Sequence, residues 1–409
     1  MTTELRVLRP TEWDQWYGTL ELAFGGSPEA PEERALWREL AVTDRSLAAW
    51  DGDEVIGTAG AFDFRMTVPG GATVPAAGVT MVGVRPTHRR RGTLRGMMRR
   101  QLDDVRAWGQ PVAVLTASEP DIYGRFGYGV ATHMVQARID TTRVGIRLPE
   151  GAEGVRLRLS KPDEARDACE AVYARRVATR PAMLERGPGW SALPLLDPPS
   201  RRDGSSPLRC VLAEADGRTV GYARYFTQDR YDETGAHGTV RLRDVEALTP
   251  AAYAVLWRYL FDLDLMTEVV ARNRPSDDPL WQLVDNVRLC RLVSGDSLYV
   301  RLVDLGTALA ARTYQAPVDV VFEVADDFCP WNAGRWRLSG DAKGASCERT
   351  GDAADLALSV RELGSAYLGG VSLISLAGAG RVRELREGAL AEASVAFGSP
   401  VAPWLPHVF

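Results

Sequence analysis

Three consecutive arginines ahead of a glycine, Arg89-Arg90-Arg91-Gly92, mark the segment of this sequence best suited to chemistry. Behind them Leu94, Met97, Met98, Leu102 and Val105 recur at three- and four-residue steps with arginines between, and Gly109 follows as a stop. That spacing predicts an amphipathic helix beginning at Gly92–Leu94. The first amide N–H groups of such a helix have no partner within it, and the positive end of its dipole faces whatever lies in front. Gly92 lets the backbone approach a ligand closely, and the arginines add charge suited to a pyrophosphate or a 3′-phosphate. The segment therefore points to the phosphates of a nucleotide-like cofactor, with a basic solvated turn or a nucleic-acid patch as the other readings of the same residues.

The neighbouring elements must position that turn. Val79–Val84 is a short apolar run suited to a central strand, and Pro111–Ala117 is a second one after the helix. Ahead of them lie helix patterns at Pro10–Leu22 and Pro31–Leu40, and an apolar run Ser46–Trp50 that reaches the turn Asp51-Gly52-Asp53. Val55–Phe64 and Met66–Val68 with Val74 read as a hairpin about Pro69-Gly70-Gly71. After the second strand, Tyr123-Gly124-Arg125-Phe126-Gly127-Tyr128-Gly129 is a glycine-punctuated turn leading into a strand at Met134–Ile139.

The chain has 409 residues, enough for two or three domains each burying its own core. With 45% hydrophobic and 25% charged residues the composition is that of a folded soluble protein. Forty-nine basic against fifty-four acidic residues give a formal charge of −5, so nucleic acid and anionic membrane surfaces are not expected partners and a cationic one is mildly favoured. The N-terminal stretch lacks the apolar core of a signal peptide, and no run approaches the roughly 20 apolar residues of a membrane span, so a cytoplasmic location is expected. Cys169, Cys210, Cys290, Cys329 and Cys347 are widely spaced without a C-x-x-C, and none of the four histidines pairs at ligand spacing. Buried reduced thiols and no metal are expected.

The polar stretch Leu148–Gly154 is taken as a boundary, giving units at 1–150, 151–294 and 295–409. Within the second unit Ala213–Phe226 echoes Ala49–Phe62, each with Asp-Gly, a short gap, an apolar residue and Gly entering a strand. The echo extends to the strand-like Val240–Val245 followed by a helix pattern at Ala251–Leu263, although the arginine-glycine turn is missing. The third unit alternates at Val318/Val320/Phe322/Val324 and at Leu356/Leu358/Val360 and has a helix pattern near Arg383–Ala396, an α+β arrangement.

Strand, arginine turn, helix and strand resemble the cofactor unit of the GNAT N-acetyltransferases, whose signature is Gln/Arg-x-x-Gly-x-Gly/Ala. Arg89–Leu94 fits it except at the last position, where Leu94 replaces a small residue. The run Pro86–Arg95 (PTHRRRGTLR) together with Ile122–Gly129 (IYGRFGYG) more narrowly resembles the Eis (enhanced intracellular survival) acetyltransferases of actinobacteria. Leu363–Gly370 is similar to that family's sterol-carrier-like C-terminal domain.

The resemblance implies an α/β (α+β) chain of tandem GNAT folds followed by a sterol-carrier-like domain, assembled as a homohexamer, with acetyl-CoA bound by the first fold alone. Carried over by position, Val82, Gly83 and Val84 would meet the pantetheine arm. Arg90, Arg91, Gly92, Thr93, Leu94 and Arg95 would hold the phosphates, and Ser118 and Glu119 would border the thioester. Tyr123 would be the general acid, for which an ordinary phenol pKa of about 10 suits a departing thiolate. The carboxylate of Phe409 would be the base; with an ordinary value near 3.5 it would need desolvation or a water, and would orient the amine as much as deprotonate it.

Phe24 and Trp37 stand at aromatic positions of the acceptor pocket, while Gly25-Gly26 and Val408 occupy positions where acids occur in the family. Glu29, Glu32 and Glu33 are candidates to restore negative charge there. Tyr128 is read as packing, and His88 and His407 are rival bases. The implied reaction is acetyl transfer to small-molecule amines of aminoglycosides by direct transfer in a ternary complex. A polyamine or protein-lysine acetyltransferase, or a lipid- or acyl-CoA-binding protein with a relict fold, are the alternatives.

Overall fold

A computed structural model describes residues 4–409. Backbone contacts divide the chain into two units, one running to Thr132 and taking in Arg180–Glu185 and Ser297–Phe409, the other made of His133–Thr179 and Arg186–Asp296.

The first unit begins with strand β1 (Glu4–Val7), helix α1 (Trp13–Ala23) and helix α2 (Pro31–Leu40), then β2 (Leu47–Asp51), β3 (Glu54–Thr67) and β4 (Thr73–Val84). Helix α3 (Thr93–Ala107), β5 (Val112–Thr116), the one-turn α4 (Pro120–Tyr123) and β6 (Gly129–Val130) follow. The expected short hairpin at Val55–Val74 is part of one long pair, β3 with β4, because β4 runs on from Val74 through Val79 to Val84. Pro75, which has no amide hydrogen to give, sits one residue before β4 starts to pair with β5 on its other side.

The sheet order is β1-β2-β3-β4-β5, then the strand Leu298–Leu302, then β6. Helix α3 buries Met98, Leu102 and Val105 against Ala61, Ala77 and Val79 of the sheet. Helix α1 packs Trp13, Trp16, Tyr17 and Leu20 against Ala48, Trp50 and Val55. The sterol-carrier-like region of the same unit has its own sheet, ordered Gly344–Arg349, Gly334–Asp341, Val318–Ala325, Leu356–Ser359 and Val382–Glu384.

Two expectations are corrected in that region. Val360 starts a helix (Val360–Ala366) where the alternation predicted strand, because Ser359 and Glu362 form a capping box. The helix expected from Arg383 begins only at Ala389, since Val382–Glu384 pairs with Leu356–Leu358 and Gly388, at φ +85°, forms the N-cap.

The second unit has a seven-stranded sheet in which Arg209–Ala215 and Arg218–Gln228 form the hairpin that echoes β2–β3. The strand His133–Asp140, which sequence order places after β6, belongs to this second sheet, between Met266–Pro275 and Val293–Asp296. Leu298–Leu302 goes the other way, into the first sheet beside β5. Each sheet is thus completed by a strand from the far side of the sequence.

In the second sheet Gly238–Ala247 and Met266–Pro275 run parallel and pair only as far as Leu242 and Ala271. Beyond that point stands buried Arg274, whose Nε donates to Asp278 Oδ2 at 2.6 Å and whose Nη2 donates to Tyr253 Oη at 3.1 Å. Its Nη1 reaches the Val245 carbonyl of the facing strand at 3.5 Å. Arg274 thus links the two strands beyond the point where their pairing stops.

Candidate active site

In the first unit the two parallel strands also stop pairing early. β4 pairs with β5 only through Ala76–Gly78 against Val112–Val114. Its register with β3 then slips between Thr58 and Gly60, where Met81 takes φ +53° and the Thr58 hydroxyl donates to the Met81 carbonyl at 2.8 Å. A bulge bends a strand away from its neighbour and stops pairing. A cavity of about 240 Å³ results, with Val79, Thr80, Met81 and Val82 on one wall and Thr116, Ser118 and Tyr123 on the other.

Val82 lines this cavity and Val84 is half-buried. Gly83 serves packing. A methyl group there would lie 3.0 Å from Cβ of Ala23 and 3.3 Å from the Thr58 hydroxyl, so its missing side chain lets α1 sit on the strand.

At the start of α3 the N-cap is Gly92, at φ +88°, with no side chain capping the first amides. The first helical bond runs from the Gly96 amide to the Gly92 carbonyl at 2.9 Å, so the amides of the first turn have no partner within the helix. Nothing lies within 4 Å of where a Gly92 side chain would stand. Arg90, itself at φ +63°, is exposed, as is Arg91. Arg89 is tied back to the Ala23 carbonyl at 3.1 Å. Arg95 lies with its guanidinium 5.6 Å from the Phe328 ring. Thr93 is buried, and Leu94 packs against the apolar clusters on both sides of the helix start, which is why a large residue is accepted where the wider signature has a small one. An uncapped helix start with open glycine backbone and free arginines fits a phosphate-bearing cofactor.

Of the residues singled out in the sequence, the cavity brings together Phe24, Trp37, Val82, Ser118, Tyr123 and Phe409, while the arginine turn lies outside its lining. Tyr123 ends α4, and Phe409 enters from the chain terminus. The Phe409 ring stands edge-on to Phe64, 5.0 Å between centroids, in a space that Gly78 leaves free: a methyl group at Gly78 would be 2.3 Å from Phe64 and 3.3 Å from Phe409. Phe24, largely exposed, and Trp37, stacked 6.2 Å from Phe62, complete an aromatic side. Glu119 is the exposed N-cap of α4 and stays outside the lining, whereas its charge acts on Tyr123. His88 is committed elsewhere, its Nε2 3.3 Å from Asp51 at the β2–β3 turn.

Burial, with a smaller push from the Glu119 carboxylate, raises the Tyr123 phenol to about 12. This corrects the expectation of an ordinary phenol: the group is a tighter holder of its proton than sequence position suggests. Tyr128, edge-on to Tyr123 at 5.9 Å, is buried completely and is packing.

Two acids line the cavity. Glu29 accepts a short hydrogen bond from the Tyr17 hydroxyl, and Glu21 accepts from the Glu29 amide at 3.2 Å and from Arg34 Nη1 at 2.8 Å. Arg34 pairs with Glu21, and the Glu29 carboxylate lies on the cavity wall beside the Tyr17 hydroxyl. Of the three acids weighed from the sequence, Glu29 is the one that reaches the lining. Tyr17, Glu21, Thr80 and Thr116 were not foreseen. Tyr17 and Glu21 are four apart on α1, one helical turn, but nothing in their spacing tells a cavity-facing stripe from a core-facing one.

The sequence matches the acetyltransferase (GNAT) domain over residues 4–131 and again over 182–302, and the sterol carrier protein domain over 305–406. It is 65% identical over 413 residues to an N-acetyltransferase of Streptomyces coelicolor, covering all of both chains. It is 36% identical over 407 residues, 96% of each chain, to the N-acetyltransferase Eis of Mycobacterium tuberculosis. The chain belongs to the Eis family of N-acetyltransferases. The crystal structure of Eis1 from Mycobacterium abscessus superposes with a TM-score of 0.84 at 34% identity, covering the whole of both chains.

The tandem GNAT folds and the sterol-carrier-like domain expected from the motifs are therefore those of an Eis-type enzyme, and the GNAT fold implies use of acetyl-CoA. Among the described residues no helix is long and apolar enough to cross a membrane.

Proposed function

We propose that this Eis-family enzyme transfers acetyl groups to amines of aminoglycosides, with Tyr123 as proton donor and the Phe409 carboxylate as the group that receives the amine. The observation that carries the reading is the single cavity holding Tyr123, the terminal residue and Glu29 in the opening between β4 and β5. When bound, acetyl-CoA supplies the activated acyl group and a thiolate that must be protonated. Arg90, Arg91 and the free amides at Gly92–Arg95 hold its phosphates, while Val82 and Ser118 flank its arm. The Tyr123 Oη keeps its proton through the neutral range, so it donates a hydrogen bond to the departing sulfur and gives up the proton only late. The terminal carboxylate orients the incoming ammonium and draws off its proton, directly or through water. Glu29 anchors a further ammonium of the acceptor.

The test is acetyl-CoA consumption against a panel of aminoglycosides, polyamines and a lysine peptide. Turnover with the aminoglycosides supports the reading, turnover confined to polyamines or the peptide replaces the acceptor class, and silence across the panel favours a binding protein. A chain extended past Phe409 is expected to lose activity, and full activity in that variant removes the terminal carboxylate from the mechanism.

A further inference from the structure

Three glycines follow Tyr123, and the sterol-carrier-like region, joined at Gly127 by Arg301 of the strand Leu298–Leu302, occupies the space that they leave. A methyl group at Gly124 would lie 2.7 Å from Cζ and from Nη1 of Arg361. At Gly127, φ +84°, it would meet Cζ and Nε of Arg301 at 2.9 Å. At Gly129 it would fall 2.1 Å from the Arg361 carbonyl oxygen, far inside non-bonded contact. The approach is mutual, since a methyl group at Gly364 would be 2.4 Å from the Val300 carbonyl, on the strand paired with β6.

Both arginines stand on fixed supports. Arg301 is wholly buried and held by Asp326 at 2.7 and 2.9 Å. Arg361 lies in the first turn of a helix pinned by the Ser359–Glu362 capping box and by an ion pair from Arg381 to Glu362. Among the described residues the Arg361 side chain has no hydrogen bond or ion pair, yet it is half-buried. A half-buried guanidinium without a carboxylate gains little electrostatically. Its guanidinium fills the space that Gly124 leaves beside Tyr123, so it supports the turn by packing.

We propose that Arg361 is a positioning residue: it fixes the Tyr123–Gly129 turn so that the Tyr123 phenol is presented to the cavity. This rests on the reading of Tyr123 as the proton donor.

The experiment compares Arg361→Ala, Arg361→Lys, Gly124→Ala, Tyr123→Phe and the double variant Arg361→Ala/Tyr123→Phe in the full chain, with thermal melting as the check on folding. Arg361→Ala is expected to lower kcat about tenfold, with KM for acetyl-CoA within twofold. Arg361→Lys, lacking the planar head, is not expected to restore it. Gly124→Ala, which displaces the guanidinium from the other side, is expected to reproduce the loss. The double variant is expected to be no slower than Tyr123→Phe alone. Unchanged kcat in Arg361→Ala, or an equal additional loss in the Tyr123→Phe background, overturns the proposal. Should Tyr123→Phe itself keep full turnover, the donor reading fails instead. Amide hydrogen exchange over Tyr123–Val130 then decides the positioning separately: faster exchange in Arg361→Ala upholds it and unchanged exchange ends it.

Discussion

Tyr123 and Glu29 divide the chemistry of the cavity between a proton and a charge. For Tyr123→Phe the expected loss in kcat is on the order of 100- to 10,000-fold, the usual worth of a positioned proton donor, with acetyl-CoA affinity, measured by calorimetry, nearly unchanged. Because burial raises the phenol to about 12, its ionisation should not limit the rate below that pH. A pH–kcat profile should therefore show no Tyr123-dependent decline up to pH 10.5, and one that disappears in the phenylalanine variant would contradict the buried environment. For Glu29→Gln the expected effect falls on the acceptor: KM for a polycationic amine rises about tenfold, the scale of one lost charge-assisted hydrogen bond, while a monoamine is hardly affected. Steady-state kinetics with paired acceptors checks this.

At the scale of elements, the site depends on a bent strand, an uncapped helix and two close backbone approaches. Gly83→Ala would press a methyl group into Ala23 and Thr58. The expected cost is about 1–3 kcal/mol of stability, as for overpacking generally, read as a lowered denaturation midpoint. The periodicity from Leu94 to Val105 revealed α3 well, because an amphipathic helix carries its signal in its own residues. The bulge at Met81 carried no comparable mark: a positive φ on a methionine is imposed by the register with β3, which depends on residues more than twenty positions away. For the same reason Tyr123 and Phe409 were reachable through family motifs, whereas Tyr17 and Glu21 were not, since their meaning comes from how α1 lies on Gly83. The helix misplaced to Arg383 failed because an alternating segment and a helical one share apolar residues until a partner strand decides between them.

Over the whole molecule, burial raises the phenol pKa of Tyr128, Tyr173, Tyr222, Tyr253, Tyr314 and Tyr367. A phenol raised in the folded state contributes stability that is complete below its unfolded value of about 10 and is lost as pH climbs toward the folded value. The urea midpoint should therefore fall steeply above pH 10, and a flat dependence there would mean that these rings ionise freely in the native state. Calorimetric titration with acetyl-CoA should give one site per chain, since the second GNAT fold has no arginine-glycine turn between its strand Gly238–Ala247 and the helix that follows. The exchange of strands between the sheets, His133–Asp140 into one and Leu298–Leu302 into the other, also sets a timetable for synthesis. The first 132 residues leave the ribosome as a sheet still lacking a member, and β5 acquires its neighbour only after some 170 further residues have been added. Vectorial, domain-by-domain folding, the common route for a chain of this length, therefore leaves that edge of β5 unpaired until residue 302 arrives.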